Sequence, residues 1–233
     1  MDVTNNKILY ADMINSMQLG ATVVYEDEHA LLLHDVYSSI YYAAANTKES
    51  AKKMIQMIPD TFDILVTHDT ICNEVLKEDR NIEFENVCYH CAYLSQKPLE
   101  ISLEKGYEIK PLNLEHMQEV IDLYGKEMPT LANEDYISLN IKSGMLGMFY
   151  GDDVCGFVGV HEGGYGSIGM LEIKPQYKRL GLATMLERAM INLQLERGRI
   201  PYGEIFQENA ISLKLQHKVG MQVGKDLTYW FYM

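Results

Sequence analysis

The chain has no run of 18 apolar residues, so it offers no membrane-spanning helix. Its opening stretch, MDVTNNKILYADMINS, lacks a basic segment followed by an apolar core. Export is therefore not expected, and the cytoplasm is the expected compartment. Cysteine is scarce. Four in 233 residues make no disulfide scaffold, and they fit reduced thiols. A basic excess is also missing: 20 Lys and Arg face 33 Asp and Glu, a net charge of −13. A dedicated nucleic-acid binder needs a basic face, so that class is excluded. What remains is 47% apolar and 23% charged, the composition of a globular chain with one or two domains and a sizeable core.

Charge is unevenly spread. Residues 1–100 hold 7 basic and 16 acidic side chains. Within 174–218 the sign inverts. Lys174, Lys178, Arg179, Arg188, Arg197, Arg199, Lys214 and Lys218 stand against Glu187, Glu196, Glu204 and Glu208. A local positive segment in an acidic chain points to a small anionic ligand. Ordinary solvated helix faces would give the same count.

Hydrophobic spacing divides the chain at Ser95–Gly106 (SQKPLEISLEKG), which carries Pro98 and mixed charge and shows no strong period. The expected domains are 1–97 and 107–233, with 98–106 as linker. After the linker the pattern predicts a strand at Tyr107–Lys110 and helices at Asn113–Lys126 and Asn133–Lys142. Strands then follow at 147–151, 154–161 and 167–174, with hairpin turns between them. The clearest helix is Gly181–Arg197, where Leu182, Met185, Leu186, Ala189, Met190 and Leu193 form one apolar stripe. A strand at 202–207, a helix at 209–219 and an aromatic strand at 221–232 close the chain. After an opening helix near Asn6–Met17, the first half repeats this order. Strands are expected at 22–25, 30–34 and 39–44, a helix at 48–58, a strand at 62–67, a helix at 69–77 and a strand at Phe84–Leu94. The shared order predicts a degenerate duplication and an α+β fold with a mixed, mainly antiparallel sheet flanked by helices.

The segment richest in chemistry is Leu171-Glu172-Ile173-Lys174-Pro175-Gln176-Tyr177-Lys178-Arg179-Leu180-Gly181-Leu182-Ala183-Thr184. It leads from a strand through a short loop into the strongest helix. Unsatisfied N–H groups and the helix dipole make such a start an anion site, and a pyrophosphate suits it. Gly181 and the small Ala183 allow close approach of the backbone, and Lys178 and Arg179 add charge-assisted contacts.

Here the sequence resembles the GNAT superfamily of N-acetyltransferases, whose coenzyme A loop reads Arg/Gln-x-x-Gly-x-Gly/Ala. The chain has Lys178-Arg179-Leu180-Gly181-Leu182-Ala183 after Pro175; Lys at the first position departs from the pattern but keeps a cation. A second block matches at Asn209, Ser212, Lys218 and Gly220, with Met221 where the family has Phe, an apolar swap. The Tyr that often protonates the leaving thiolate is replaced by Gln216. The run Val160-His161-Glu162-Gly163-Gly164-Tyr165-Gly166-Ser167 is similar to a subgroup related to glycine N-acyltransferases, which place a degenerate half before the catalytic one. The corresponding first-half loop, Ala44–Ser50, has no glycine, so no coenzyme is expected there.

The resemblance implies acetyl-CoA as co-substrate and a primary amine of a small molecule or peptide as acceptor. No nucleic acid or membrane partner is expected, and homo-oligomers are compatible with it. It also implies a coenzyme site at Leu171, Ile173, Lys178, Arg179, Leu180, Gly181, Leu182, Ala183, Thr184, Asn209 and Ser212. The competing expectation is a coenzyme-binding module with little catalysis, motivated by Gln216. Glu162, Glu172 and Glu204 are the carboxylates near the open strand ends that could take a proton from the amine. Tyr202, Tyr165 and His217 are alternative acids. Helix capping is the simpler role for Asn209. Cys88-Tyr89-His90-Cys91 is a lone C-x-x-C, with only His68 and Cys72 as further donors. No metal is expected, and buried apolar Cys is the better reading.

Overall fold

The computed structural model describes residues 1–80, 82, 85–164 and 166–232. The chain forms two compact units. The first joins Met1–Leu94 to Tyr202–Met233, and the second is Ser95–Pro201.

In the first unit, α1 (Ala11–Gln18) precedes a meander of β1 (Thr22–Glu26), β2 (Ala30–Asp35) and β3 (Ile40–Ala45). Next come α2 (Lys48–Ile55), β4 (Ile64–Thr67), α3 (Thr70–Asp79) and β5 (Glu85–Ala92). The expected strand start at Phe84 lies outside the described residues. β2 and β3 are almost wholly buried, so they read as continuous apolar runs rather than alternating ones. The starts of α2 and α3 are fixed by caps, with Thr47 accepting from the Ser50 N–H and Asp69 from the Cys72 N–H. The apolar faces of both helices meet Leu32, Ala43, Leu65, Tyr229 and Phe231 in one core.

The second unit holds β6 (Tyr107–Pro111), α4 (Met117–Tyr124), α5 (Glu134–Lys142), β7 (Leu146–Tyr150), β8 (Asp153–Val160), β9 (Ile168–Ile173) and α6 (Leu182–Glu196). Its sheet is an antiparallel ribbon in the order β6-β7-β8-β9. Val120, Tyr124, Ile137, Phe149, Phe157 and Met170 fill its core.

The last elements are β10 (Tyr202–Phe206), α7 (Ala210–Val219) and β11 (Gln222–Tyr232). They do not complete the second unit, as a domain at 107–233 would require. β11 inserts between β4 and β5, and β10 pairs with β5, giving a seven-stranded sheet in the order β1-β2-β3-β4-β11-β5-β10. Among the described residues, only β3 and β4 pair in parallel. Alternation along β11 shows which residues face a core, with Tyr229 and Phe231 buried, but it does not show which strand lies alongside. That is why the sequence boundary and the structural one differ. The expected linker is also pinned. Asn192 on α6 accepts from the Leu99 N–H at 2.7 Å and donates to its carbonyl at 2.9 Å, while Arg188 donates to the Glu100 carbonyl at 3.0 Å.

Candidate active site

The loop that enters α6 has an unusual backbone. After a single 3-10 turn at Pro175–Tyr177, Lys178 is extended, while Arg179 and Gly181 adopt left-handed φ values of 66° and 78°. Gly181 caps α6 without a side-chain hydrogen bond. Its carbonyl accepts from the N–H groups of Thr184 and Met185 at 3.1 and 3.3 Å. Among the described residues, the N–H groups of Arg179, Leu180, Gly181, Leu182 and Ala183 have no acceptor. A Cβ on Gly181 would meet nothing within 4 Å. The loop is therefore a row of donors facing open space at the positive end of a 15-residue helix. Leu182 and Thr184 are buried and anchor the helix start, whereas Lys178, Arg179 and Leu180 are exposed.

The local positive charge is half consumed by structure. Lys174 pairs with Glu119, and Arg188, Arg197 and Arg199 donate to the carbonyls of Glu100, Ser143 and Gly164. The side chains of Lys178 and Arg179 make no hydrogen bond or close ion pair among the described residues, which leaves them for an anion.

β9 leads into this loop and forms the edge of its sheet. Lys174 donates to the Cys155 carbonyl at 2.9 Å, so the alternation of an antiparallel ladder turns the backbone of Ile173 outward. The register then slips between Phe157 and Gly159, and Met170 takes a φ of 50°. One extra residue, a β-bulge, sits at Met170–Leu171 and takes Leu171 out of the ladder. Both Leu171 and Ile173 thus present backbone groups at the edge. Periodicity gives no sign of such a bulge.

The structure gathers acid–base groups in the same unit. Glu172 on β9 is half-buried, and its carboxyl is raised by burial and then by Glu127, with Lys178 opposing. Burial pushes the Tyr124 hydroxyl up strongly, with the charges of Glu172 and Glu162 adding to it. Tyr136 is raised strongly by burial, then Glu162 and Tyr124. Its hydroxyl lies 2.7 Å from Nδ1 of His161, whose own value burial lowers to about 4. His161 is therefore neutral at pH 7, and both tyrosines keep their protons. Glu162 begins three successive left-handed residues, with φ of 54°, 62° and 85° through Gly163 and Gly164. The two glycines adopt this conformation freely, so only Glu162 is strained, and the turn places it beside Tyr136. Sequence reading missed both tyrosines, because each lies within the apolar stripe of its helix.

Other expected residues lie in the first unit. Glu204 on β10 is hydrogen-bonded to Nε2 of His90 at 3.0 Å, so it is not a lone strand-end base. Tyr202 is buried beside His90, and His217 is exposed in the last turn of α7. Tyr165 lies outside the described residues. All four cysteines are free and buried; burial, Glu204 and Glu208 together drive the Cys88 thiol far up. Asn209 caps α7 by accepting from the Ser212 N–H at 3.0 Å. Asn209→Ala should cost about 1 kcal/mol in urea unfolding. If coenzyme affinity also falls beyond tenfold, Asn209 does more than cap.

Comparison with known proteins bears on the fold. Residues 145–231 match the family model described as FR47-like protein. No curated protein matches the chain. A structure from Drosophila superposes with a TM-score of 0.63 at 18% identity, covering 88% of this chain and 73% of its own. A GCN5-related N-acetyltransferase from Kribbella flavida gives 0.59 at 12% identity, covering 95% of each chain. A GCN5-related N-acetyltransferase-like protein from Streptococcus suis gives 0.55 at 14% identity, covering 99% of this chain and 97% of its own. At these identities the likeness speaks for the fold, which is the α+β fold of GNAT structures.

Proposed function

We propose that the chain is a GNAT-type N-acetyltransferase that moves an acetyl group from acetyl-CoA to a primary amine of a small molecule or peptide. The observation that carries this reading is the Lys178–Ala183 loop. Its unpaired N–H groups, its two left-handed residues and its two uncommitted cations suit a pyrophosphate. The bulged edge at Met170–Ile173 supports a place for the amides of a pantetheine arm, and its free N–H groups suit the oxyanion of a tetrahedral intermediate.

In this reading Glu172 takes a proton from the incoming ammonium. The amine nitrogen then attacks the thioester carbonyl, and collapse of the intermediate breaks the C–S bond and releases coenzyme A as thiolate. Tyr124 keeps its proton at neutral pH and is a candidate donor to that thiolate. The reading extends the glycine N-acyltransferase-like resemblance to the whole chain, with residues 1–97 as a degenerate half and the cytoplasm as the place of action.

A second reading, a coenzyme-binding module without turnover, draws on Gln216. It sits buried on α7 where the resemblance implies a Tyr. An amide cannot supply the thiolate's proton. Calorimetry with acetyl-CoA and thiol release across a panel of primary amines separate the two. The enzyme reading expects one coenzyme site per chain and amine-dependent thiol release. Binding without release favours the module, and neither signal overturns both readings.

A further inference from the structure

Four titratable side chains meet inside the first unit. Asp12 comes from α1, His68 from the residue after β4, His90 from β5 and Glu204 from β10. Asp12, His68 and His90 are fully buried, and the Glu204 side chain is 12% exposed. Nε2 of His68 lies 2.8 and 3.0 Å from the two Asp12 oxygens. Nε2 of His90 lies 3.0 Å from Oε1 of Glu204 and 3.9 Å from Oδ2 of Asp12. One donor atom each from Asp12, His68 and His90 fall within 4.8 Å of one another.

Hydrogen bonding elsewhere fixes which nitrogens point inward. Nδ1 of His68 is 3.1 Å from the Ala43 carbonyl, which only accepts, so Nδ1 carries a proton, and Nε2 is the nitrogen turned toward Asp12, at hydrogen-bond distance from it. Nδ1 of His90 is buried and has no hydrogen-bond partner among the described residues. The backbone carbonyl behind the His68 imidazole is the support that metal-binding histidines ordinarily have. Two carboxylates inside a protein need two positive charges close by. Among the described residues no Lys or Arg pairs with Asp12 or Glu204; in the metal-free chain only protonated His68 and His90 could supply those charges. One divalent cation supplies both charges at the centre of the cluster and leaves the imidazoles neutral. With metal–ligand bonds of about 2.0–2.2 Å, donors around a tetrahedral ion stand ~3.3 Å apart. The Asp12–His68 and Asp12–His90 separations of 2.8 and 3.9 Å bracket that value, the three donor atoms all lie within 4.8 Å of one another, and Glu204 adjoins them through His90.

We propose that Asp12, His68, His90 and Glu204 form a binding site for one divalent transition-metal ion of the zinc class. Imidazole and carboxylate donors suit zinc, with Glu204 completing a set whose core is the three mutually close groups, and burial marks the site as structural. The ion ties α1, the end of β4 and β5 to β10, and so holds the last 32 residues in the sheet of the first 94. The sequence offered only His68 and Cys72 as further donors beside Cys88 and Cys91; the fold brings His68 and His90 together with two carboxylates instead.

The test uses the full chain, stripped with a chelator and titrated with Zn²⁺ and with Co²⁺. Zinc should bind at one equivalent and raise the melting temperature. Cobalt should give visible bands of a nitrogen–oxygen site, without the near-ultraviolet band of a thiolate. Asp12→Asn and Glu204→Gln should each weaken zinc at least tenfold and abolish the thermal gain. If Asp12→Asn does not fold, Glu204→Gln, at the edge of the cluster, decides alone. No thermal shift and no cobalt bands, a thiolate band, or zinc affinity untouched by Glu204→Gln would each overturn the proposal.

Discussion

Gly181→Val should raise the dissociation constant for acetyl-CoA ten- to a hundredfold while leaving the chain folded. Tenfold corresponds to ~1.4 kcal/mol. The reasoning has two parts. Gly181 has a φ of 78°, and an L-residue there is strained by about 1–2 kcal/mol, more awkwardly so when β-branched. Yet an added Cβ meets no protein atom within 4 Å, so the helix start has room for the side chain. The space it fills is the space in front of the free N–H groups, where a pyrophosphate would lie. Gly198 provides the control. It is also left-handed, at 72°, and equally open, but it stands at the other end of α6. Gly198→Val carries the same backbone strain with no donors to block, and it should leave affinity alone. Calorimetry on both variants separates the effects. Parent-like affinity in Gly181→Val, or an equal loss in Gly198→Val, would remove the main physical support for a phosphate loop. Lys178→Ala should be milder than Gly181→Val, and its effect should shrink with added salt, because an exposed charge is screened.

The elements were largely legible, because strands and helices announce themselves by period and by caps. Asn133 and Asn209 sit at predicted helix starts, and both accept the expected N–H. The stripe from Leu182 to Leu193 became α6 almost residue for residue. Pairing was not legible. Nothing in the spacing of Tyr229, Trp230, Phe231 and Tyr232 tells that this strand would hydrogen-bond to both β4 and β5, since alternation encodes a face and not a neighbour. The candidate phosphate loop could be read from the sequence because its chemistry is local, carried by six consecutive residues. The acid–base groups could not, because Tyr124, Tyr136, His161 and Glu172 converge only through the packing of α4 and α5 on the sheet. The bulge at Met170 was hidden for a related reason: a single inserted residue leaves composition and period unchanged.

Glu172→Gln should lower turnover by a hundredfold or more and leave coenzyme affinity unchanged. General base catalysis contributes roughly 10²–10⁴-fold, and the amide keeps the shape of the side chain while losing its proton affinity. The pH profile carries the stronger test. Burial and the neighbouring Glu127 hold the Glu172 carboxyl above the ordinary carboxylate range. Only its ionised form accepts a proton. Turnover of the parent should therefore fall as pH drops through that raised value, and the limb should lie higher than for a solvated glutamate. In Glu172→Gln the limb should vanish along with most of the rate. Glu162→Gln is the necessary companion, because Glu162 also acts on Tyr124 and Tyr136. It stands on a strained left-handed turn rather than on the strand edge, so its loss should alter turnover less and leave the acid limb in place. Should Glu172→Gln keep turnover within threefold and retain the limb while Glu162→Gln loses both, the base is Glu162. Should neither variant move the limb, the proton leaves the ammonium by a route through neither carboxylate.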